Sequence, residues 1–141
     1  MNEPEVMDEM LGEGVMQGVP RTIAVVGLSD NPAKPSHYVS EYMRRHGYRI
    51  LPVNPSVERV LGEKSYPSLT ALPVKPDVVN VFRLPNAIPA IVDEMLTLGL
   101  KNLWVQAGIV NEDAAAHAQA GGIRVVMDRC IMVEHRRREG A

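Results

Sequence analysis

Apolar runs recur along this chain at intervals that suit an alternation of strands and helices. Thr22-Ile-Ala-Val-Val-Gly27 is a continuous β-rich run that ends in glycine. A run of this kind fits a strand buried on both faces of a parallel sheet. Four further segments repeat the theme. They are Tyr48–Val53, stopped by Asn54-Pro55; Asp77–Phe82; Asn102–Gln106, ending at Ala107-Gly108; and Ile123–Met127.

Helical spacing fills the gaps between them. Ser36 is placed to cap a helix that runs to about His46, with Val39, Tyr42 and Met43 on one face and Gly47 ending it. Asn86 or Pro89 opens a second helix to Leu98, closed by Gly99. Asn111 caps a third, with Glu112 and Asp113 in its first turn, where the helix dipole favours acids. Gly121-Gly122 ends that helix, and Arg129–Arg138 forms a last one. Residues 5–17 carry a weaker helical pattern, Val6, Met10 and then Val15 or Met16, interrupted by Gly12 and Gly14. Residues 54–76 hold four prolines and read as irregular, with one helical turn near Leu69–Leu72.

Strands alternating with helices define an α/β domain with a parallel sheet. The expectation is a Rossmann-like, doubly wound fold with a mainly parallel five-stranded sheet and helices on both faces. Residues 1–20 read as an N-terminal helical arm and 21–141 as the domain itself.

Composition narrows the class. The 141 residues are 45% hydrophobic but only 4% aromatic, so the core must be aliphatic. A net charge of −2 lacks the global basicity of a nucleic-acid binder. The single cysteine, Cys130, cannot make an internal disulfide, and the four histidines lack zinc-ligand spacing. An acidic start (Glu3, Glu5, Asp8, Glu9) does not fit a secretory leader, and no apolar stretch is long enough to span a bilayer. The expected location is cytoplasmic, with no membrane partner.

In open α/β sheets the ligand lies beyond the carboxyl ends of the strands. The first such loop, between Gly27 and Ser36, offers Ser29, Asn31 and Ser36, its backbone amides, the positive end of the next helix, and Lys34 as a point charge. It is not the dinucleotide fingerprint, since Ser29 and Pro32 stand where glycines are needed. It is not a Walker loop either, because Gly-Lys-Ser/Thr is absent. A plain strand-to-helix connection explains the loop equally well. Asn54-Pro55-Ser56 replaces the acid that usually holds a dinucleotide ribose, and is also an ordinary proline turn. Arg83 leaves the third strand beside Phe82 and suits a phosphate or a surface ion pair. Gln106, Ala107, Gly108 and Ile109 leave the fourth strand, where glycine permits close backbone approach. Cys130 follows the fifth strand beside Arg129, as a reactive thiol or a buried structural one. His37 suits a phosphate contact or simple packing, and the tail Glu134-His-Arg-Arg-Arg138 suits a helix terminus, or RNA or an acidic partner.

Taken in order, VVGLSDNPAKPSH, ILPVNPS, DVVNVFR, LWVQAGIVNEDA and VVMDRCIMVEH resemble the small bacterial and archaeal coenzyme A-binding proteins. These look like the free-standing nucleotide-binding domain of the succinyl-coenzyme A synthetase alpha subunit. The resemblance runs from about Thr22 to His135. It implies coenzyme A phosphate contacts at Gly27, Leu28, Ser29, Lys34 and Ser36, and nucleotide contacts around Asn54, Pro55 and Ser56. Phe82 and Arg83 would line the middle, with Gln106, Ala107, Gly108 and Ile109 near the ligand. One departure is Ser56, where many relatives carry lysine. The synthetase's phosphorylated histidine lies in a further domain and has no matching motif here, so the resemblance implies binding of coenzyme A or an acyl-coenzyme A without ligase activity. A thiol- or acyl-transfer enzyme using Cys130 and a coenzyme A-responsive regulatory subunit are the alternatives. A homo-oligomer or a protein partner, met by the N-terminal arm or the basic tail, is left open.

Overall fold

The computed structural model describes residues 1–12, 15–16 and 19–139. Its main sheet has five parallel strands: β1 (Thr22–Val26), β2 (Arg49–Val53), β3 (Val78–Val81), β4 (Asn102–Val105) and β5 (Arg124–Val126). Their spatial order is β2-β1-β3-β4-β5. All four pairings are parallel, with Ala24 of β1 opposite both Leu51 and Val79. The expected Rossmann-like fold is therefore the one observed. The chain goes from β1 to β2 on one side and then returns to β3 on the other. That reversal opens a crevice between the ends of β1 and β3.

Period-two alternation along the strands divides the core into two layers. Ala24, Val26, Val79, Val81, Leu103 and Val105 face α3 (Ile88–Leu98) and α4 (Glu112–Ala120). Ile23, Val25, Val78, Trp104 and Val126 face α1 (Pro4–Leu11), α2 (Pro35–Arg45) and α5 (Ile131–Glu139). Helices thus cover both faces.

Local chemistry sets the helix ends. Asn111 caps α4 as its sequence suggests, its side chain accepting from the amide of Ala114 at 3.0 Å. Ser36 does not cap α2. Pro35 has the fixed φ and missing N–H suited to a first helical position, so the helix starts one residue earlier, with Lys34 at the N-cap. A 3-10 turn, Pro85–Ala87, leads into α3. Within the irregular segment, Arg59–Val60 and Glu63–Lys64 form a small antiparallel pair that the proline count conceals.

The N-terminal helix is shorter than its pattern suggests, ending at Leu11, and Val15–Met16 pairs instead with Val19–Pro20. Residues 13, 14 and 17 of the expected helix lie outside the described residues. Met7, Met10 and Leu11 are buried against the domain. Asn2 continues this strap across the sheet edge: its side chain donates to the Met127 carbonyl at 2.8 Å and accepts from the Met127 amide at 2.7 Å. Arg124 of β5 and Arg138 of α5 pair with Glu9 and Asp8 of α1. No helix among the described residues is long and apolar enough to cross a membrane.

Candidate functional site

Gly27 fixes the crevice's geometry. Its φ is +89°, and a Cβ there would meet the Phe82 carbonyl oxygen at 2.5 Å. Only glycine lets the end of β1 pass this close to the end of β3. The loop that follows is held by its own hydrogen bonds. Ser29 donates its amide to Ser36 Oγ at 2.9 Å, Asn31 donates its amide to Ser29 Oγ at 3.0 Å, and Ala33 donates its amide to Asn31 Oδ1 at 3.0 Å. The three polar side chains expected to face an anion therefore shape the loop. Among the described residues, the amides of Leu28, Asp30 and Ser36 meet no acceptor. The Ser36 amide lies in the first turn of α2, where the helix dipole is positive.

A cleft of about 740 Å³ opens beside this loop. Gly27, Ser29, Lys34 and Ser36 line it from the first loop and α2, joined by Pro35, Tyr38 and Val39. Phe82, Arg83 and Leu84 come from the end of β3, and Gln106, Ala107 and Ile109 from the end of β4. Cys130, Met132 and Val133 close it from the start of α5. Among the described residues that line it, Lys34 and Arg83 are the cations and none is a histidine or carboxylate.

The remaining sequence-derived candidates sit elsewhere. Leu28 is fully buried, with its side chain in the core. Its carbonyl accepts from Asn54 Nδ2 at 3.1 Å, while Asn54 Oδ1 accepts the Ser56 amide at 2.9 Å. Asn54 is thus a brace between the first two strand-end loops. Pro55 borders a separate hollow of about 250 Å³, which Arg83 also touches. Gly108 is outside the cleft, its amide donating to Asp128 Oδ1 at 2.7 Å. Asp128 itself has φ +60°. His37 is buried away from the cleft wall. Sequence reasoning missed Tyr38, Val39, Leu84, Met132 and Val133 as wall residues. Their apolar character reads as ordinary helix core, although Tyr38 and Leu84 remain 47% and 73% exposed at the mouth.

The start of α5 is fixed from β4. Trp104 Nε1 donates to the Arg129 carbonyl at 2.9 Å, and Gln106 Oε1 accepts the Ile131 amide at 3.0 Å. Gln106 therefore supplies an acceptor to one of the helix's opening amides. Cys130 lies between these two anchors. Further along the α2–α5 seam, Tyr42 Oη and His135 Nδ1 lie 2.9 Å apart, and the His46 ring stacks on Tyr42. Burial holds His135 below its ordinary value, partly opposed by Glu139. Burial also pushes the Tyr48 hydroxyl, which donates to the Leu11 carbonyl at 2.5 Å, up to about 12.

The cleft thus sits at the switch point of a Rossmann-like α/β domain, with cations beside a largely apolar wall, and comparison with known proteins narrows that class. A family model described as a CoA binding domain matches residues 21–136, and the chain belongs to that family. The uncharacterized protein YneT of Bacillus subtilis is 44% identical over 115 residues, covering 82% of this chain and 85% of YneT. A solved Thermus thermophilus structure superposes with a TM-score of 0.86 at 37% identity, covering 96% of this chain and 98% of that one. The ADP-forming acetate–CoA ligase II of Archaeoglobus fulgidus is 26% identical over 102 residues, which are 71% of this chain and 15% of the ligase. The family that the ordered motifs suggest is the one that matches.

Proposed function

We propose that this domain binds coenzyme A or an acyl-coenzyme A in the cleft between α2 and α5, as a binding module and not as a ligase. The observation that carries the reading is the convergence of Lys34, Arg83 and the free Ser36 amide at the β1/β3 switch point, above a mostly apolar cleft. The cationic side suits a pyrophosphate, which gains from the amides and dipole of a helix start. The apolar side suits the pantetheine arm and whatever acyl group it carries. The nucleotide end then runs toward Asn54–Ser56, with Arg83 bordering both hollows. Family membership supports the ligand class.

Calorimetry with coenzyme A tests this. The expected result is saturable binding at one site. Lys34→Ala and Arg83→Ala should each weaken it roughly tenfold or more, since each removes a charge-assisted phosphate contact. Absence of both heat and thermal stabilisation at millimolar coenzyme A rejects the proposal. Unchanged affinity in either variant removes that residue from the site.

A further inference from the structure

The cleft has a direction. Its cationic side lies at the loop after β1, and the hollow bordered by Pro55 lies on the β2 side of that loop. A coenzyme A with its pyrophosphate at Lys34 and the Ser36 amide, and its nucleotide toward Asn54–Ser56, sends its pantetheine arm the other way, across β3 to β4. Two strand spacings separate β1 from β4, about 10 Å. The arm has the length of about four extended residues, about 14 Å. Its sulfur therefore reaches the carboxyl end of β4, where Gln106 leaves the strand and α5 is docked.

Gln106 is suited to meet a carbonyl there. It lines the cleft although the residue is only 4% exposed. Its Oε1 accepts the Ile131 amide at 3.0 Å, which fixes the other atom of the side-chain amide, Nε2, as a donor. Among the described residues Nε2 meets no acceptor. Donors so deeply placed in native proteins almost always have one. Free coenzyme A brings only a weakly accepting sulfur to this point, whereas a thioester brings a carbonyl oxygen.

The walls around that end are apolar. Leu84, Ala107, Ile109, Met132 and Val133 come from the ends of β3 and β4 and from the first turn of α5. The charged residues between β5 and α5 are engaged elsewhere. Asp128 Oδ1 accepts the Gly108 amide at 2.7 Å, and Arg129 Nη1 donates to the Asp128 carbonyl at 2.8 Å; neither lines the cleft. With Lys34 and Arg83 engaged by phosphates, an acyl group ending in a carboxylate would lose its hydration here without a partner. A hydrocarbon chain would bury apolar surface instead.

We propose that the cleft selects coenzyme A thioesters of short, uncharged acyl groups, with Gln106 Nε2 donating to the thioester carbonyl and Leu84, Ile109, Met132 and Val133 surrounding the chain. The inference rests on the cleft being a coenzyme A site.

Calorimetry on the full chain tests it with free coenzyme A, butyryl-coenzyme A, succinyl-coenzyme A and the thioether S-butyl-coenzyme A. Butyryl and succinyl share a chain length and differ in the terminal carboxylate, while the thioether keeps the chain and lacks the carbonyl. Butyryl-coenzyme A should bind at least about tenfold tighter than free coenzyme A, since each buried methylene adds about fourfold. The succinyl thioester should bind at least about tenfold more weakly than the butyryl one, and the thioether about fivefold more weakly. Gln106→Glu keeps an acceptor for the Ile131 amide but removes the Nε2 donor, and should abolish the preference for thioester over thioether. Met132→Ser, and Leu84→Ser at a position 73% exposed, should each shrink the ratio of butyryl to free coenzyme A affinity severalfold. Equal binding of free and butyryl-coenzyme A, of the butyryl and succinyl thioesters, or of thioester and thioether overturns the proposal and leaves the coenzyme A site standing. If none of these ligands binds, the cleft assignment falls with it.

Discussion

The two faces of the sheet are built from the same five strands, yet they differ in kind. The face under α3 and α4 is closed and aliphatic. Its helices contribute Ile91, Val92 and Met95 on one side and Ala114, Ala115 and Ala118 on the other, so α4 can pack close with little side-chain volume. The face under α1, α2 and α5 carries most of the buried polar chemistry: Ser36, Ser40, Asn80, Gln106, Glu134 and His135. It also carries the cleft. One layer supplies stability through transfer of apolar surface from water. The other gives up part of that packing to keep hydrogen-bonding groups and a cavity in place.

Substitutions should separate these roles. The largest effect is expected at Gly27, where the layers meet the site. Gly27→Val combines a disfavoured positive φ with a clash against the Phe82 carbonyl, and should lower stability by about 4 kcal/mol while abolishing ligand binding, read by urea unfolding and calorimetry. Met95→Ala empties a fully buried position on the closed face and should lower stability by about 3 kcal/mol. Affinity for coenzyme A among the folded molecules should not change; a parallel loss would show that the faces are not separable. Trp104→Phe keeps the ring packing but removes the bond to the Arg129 carbonyl, and should lower stability by about 1 kcal/mol. It should also loosen the start of α5, seen as faster amide exchange at residues 131–134.

The smallest effect concerns protons. Burial lowers the folded-state value of His135 below 6.5. Between those two values the unfolded chain binds more protons than the folded one, so stability rises with pH across the window. The contribution is complete above 6.5 and is lost as pH falls through the lowered value. Urea midpoints measured from about pH 7 to about pH 5 should fall less in His135→Phe than in the parent. Equal falls would assign the acid sensitivity to other groups.

The order of elements was legible because β1 ends at Gly27, β2 at Asn54-Pro55 and β4 at Ala107-Gly108, while the apolar runs of β3 and β5 stand between helical patterns. The convergence of Gly27, Lys34, Phe82, Arg83 and Gln106 on one cleft follows from that order, since parallel strands bring their carboxyl ends together. Side-chain division of labour was not legible. Ser29, Asn31 and Asn54 are residues suited to an anion, but the same short polar groups satisfy loop amides, and spacing alone does not distinguish the two uses. Met132 and Val133 share helical spacing with core residues, and only the docking of α5 beside α2 turns them toward the cleft. The pairing of Asn2 with Met127 spans 125 positions in sequence and left no local signal.

That pairing has a consequence for how the molecule behaves among its own copies. β5 is an edge strand, and a bare edge offers a row of backbone donors and acceptors to any neighbouring strand. Asn2 answers the Met127 amide and carbonyl with its side chain, and its own amide donates to Val125 at 3.3 Å, so the open border is met by three hydrogen bonds from one residue. The strap thereby guards the protein's colloidal behaviour: removing residues 1–11 would expose a template for strand-to-strand growth on the side of the sheet farthest from β2.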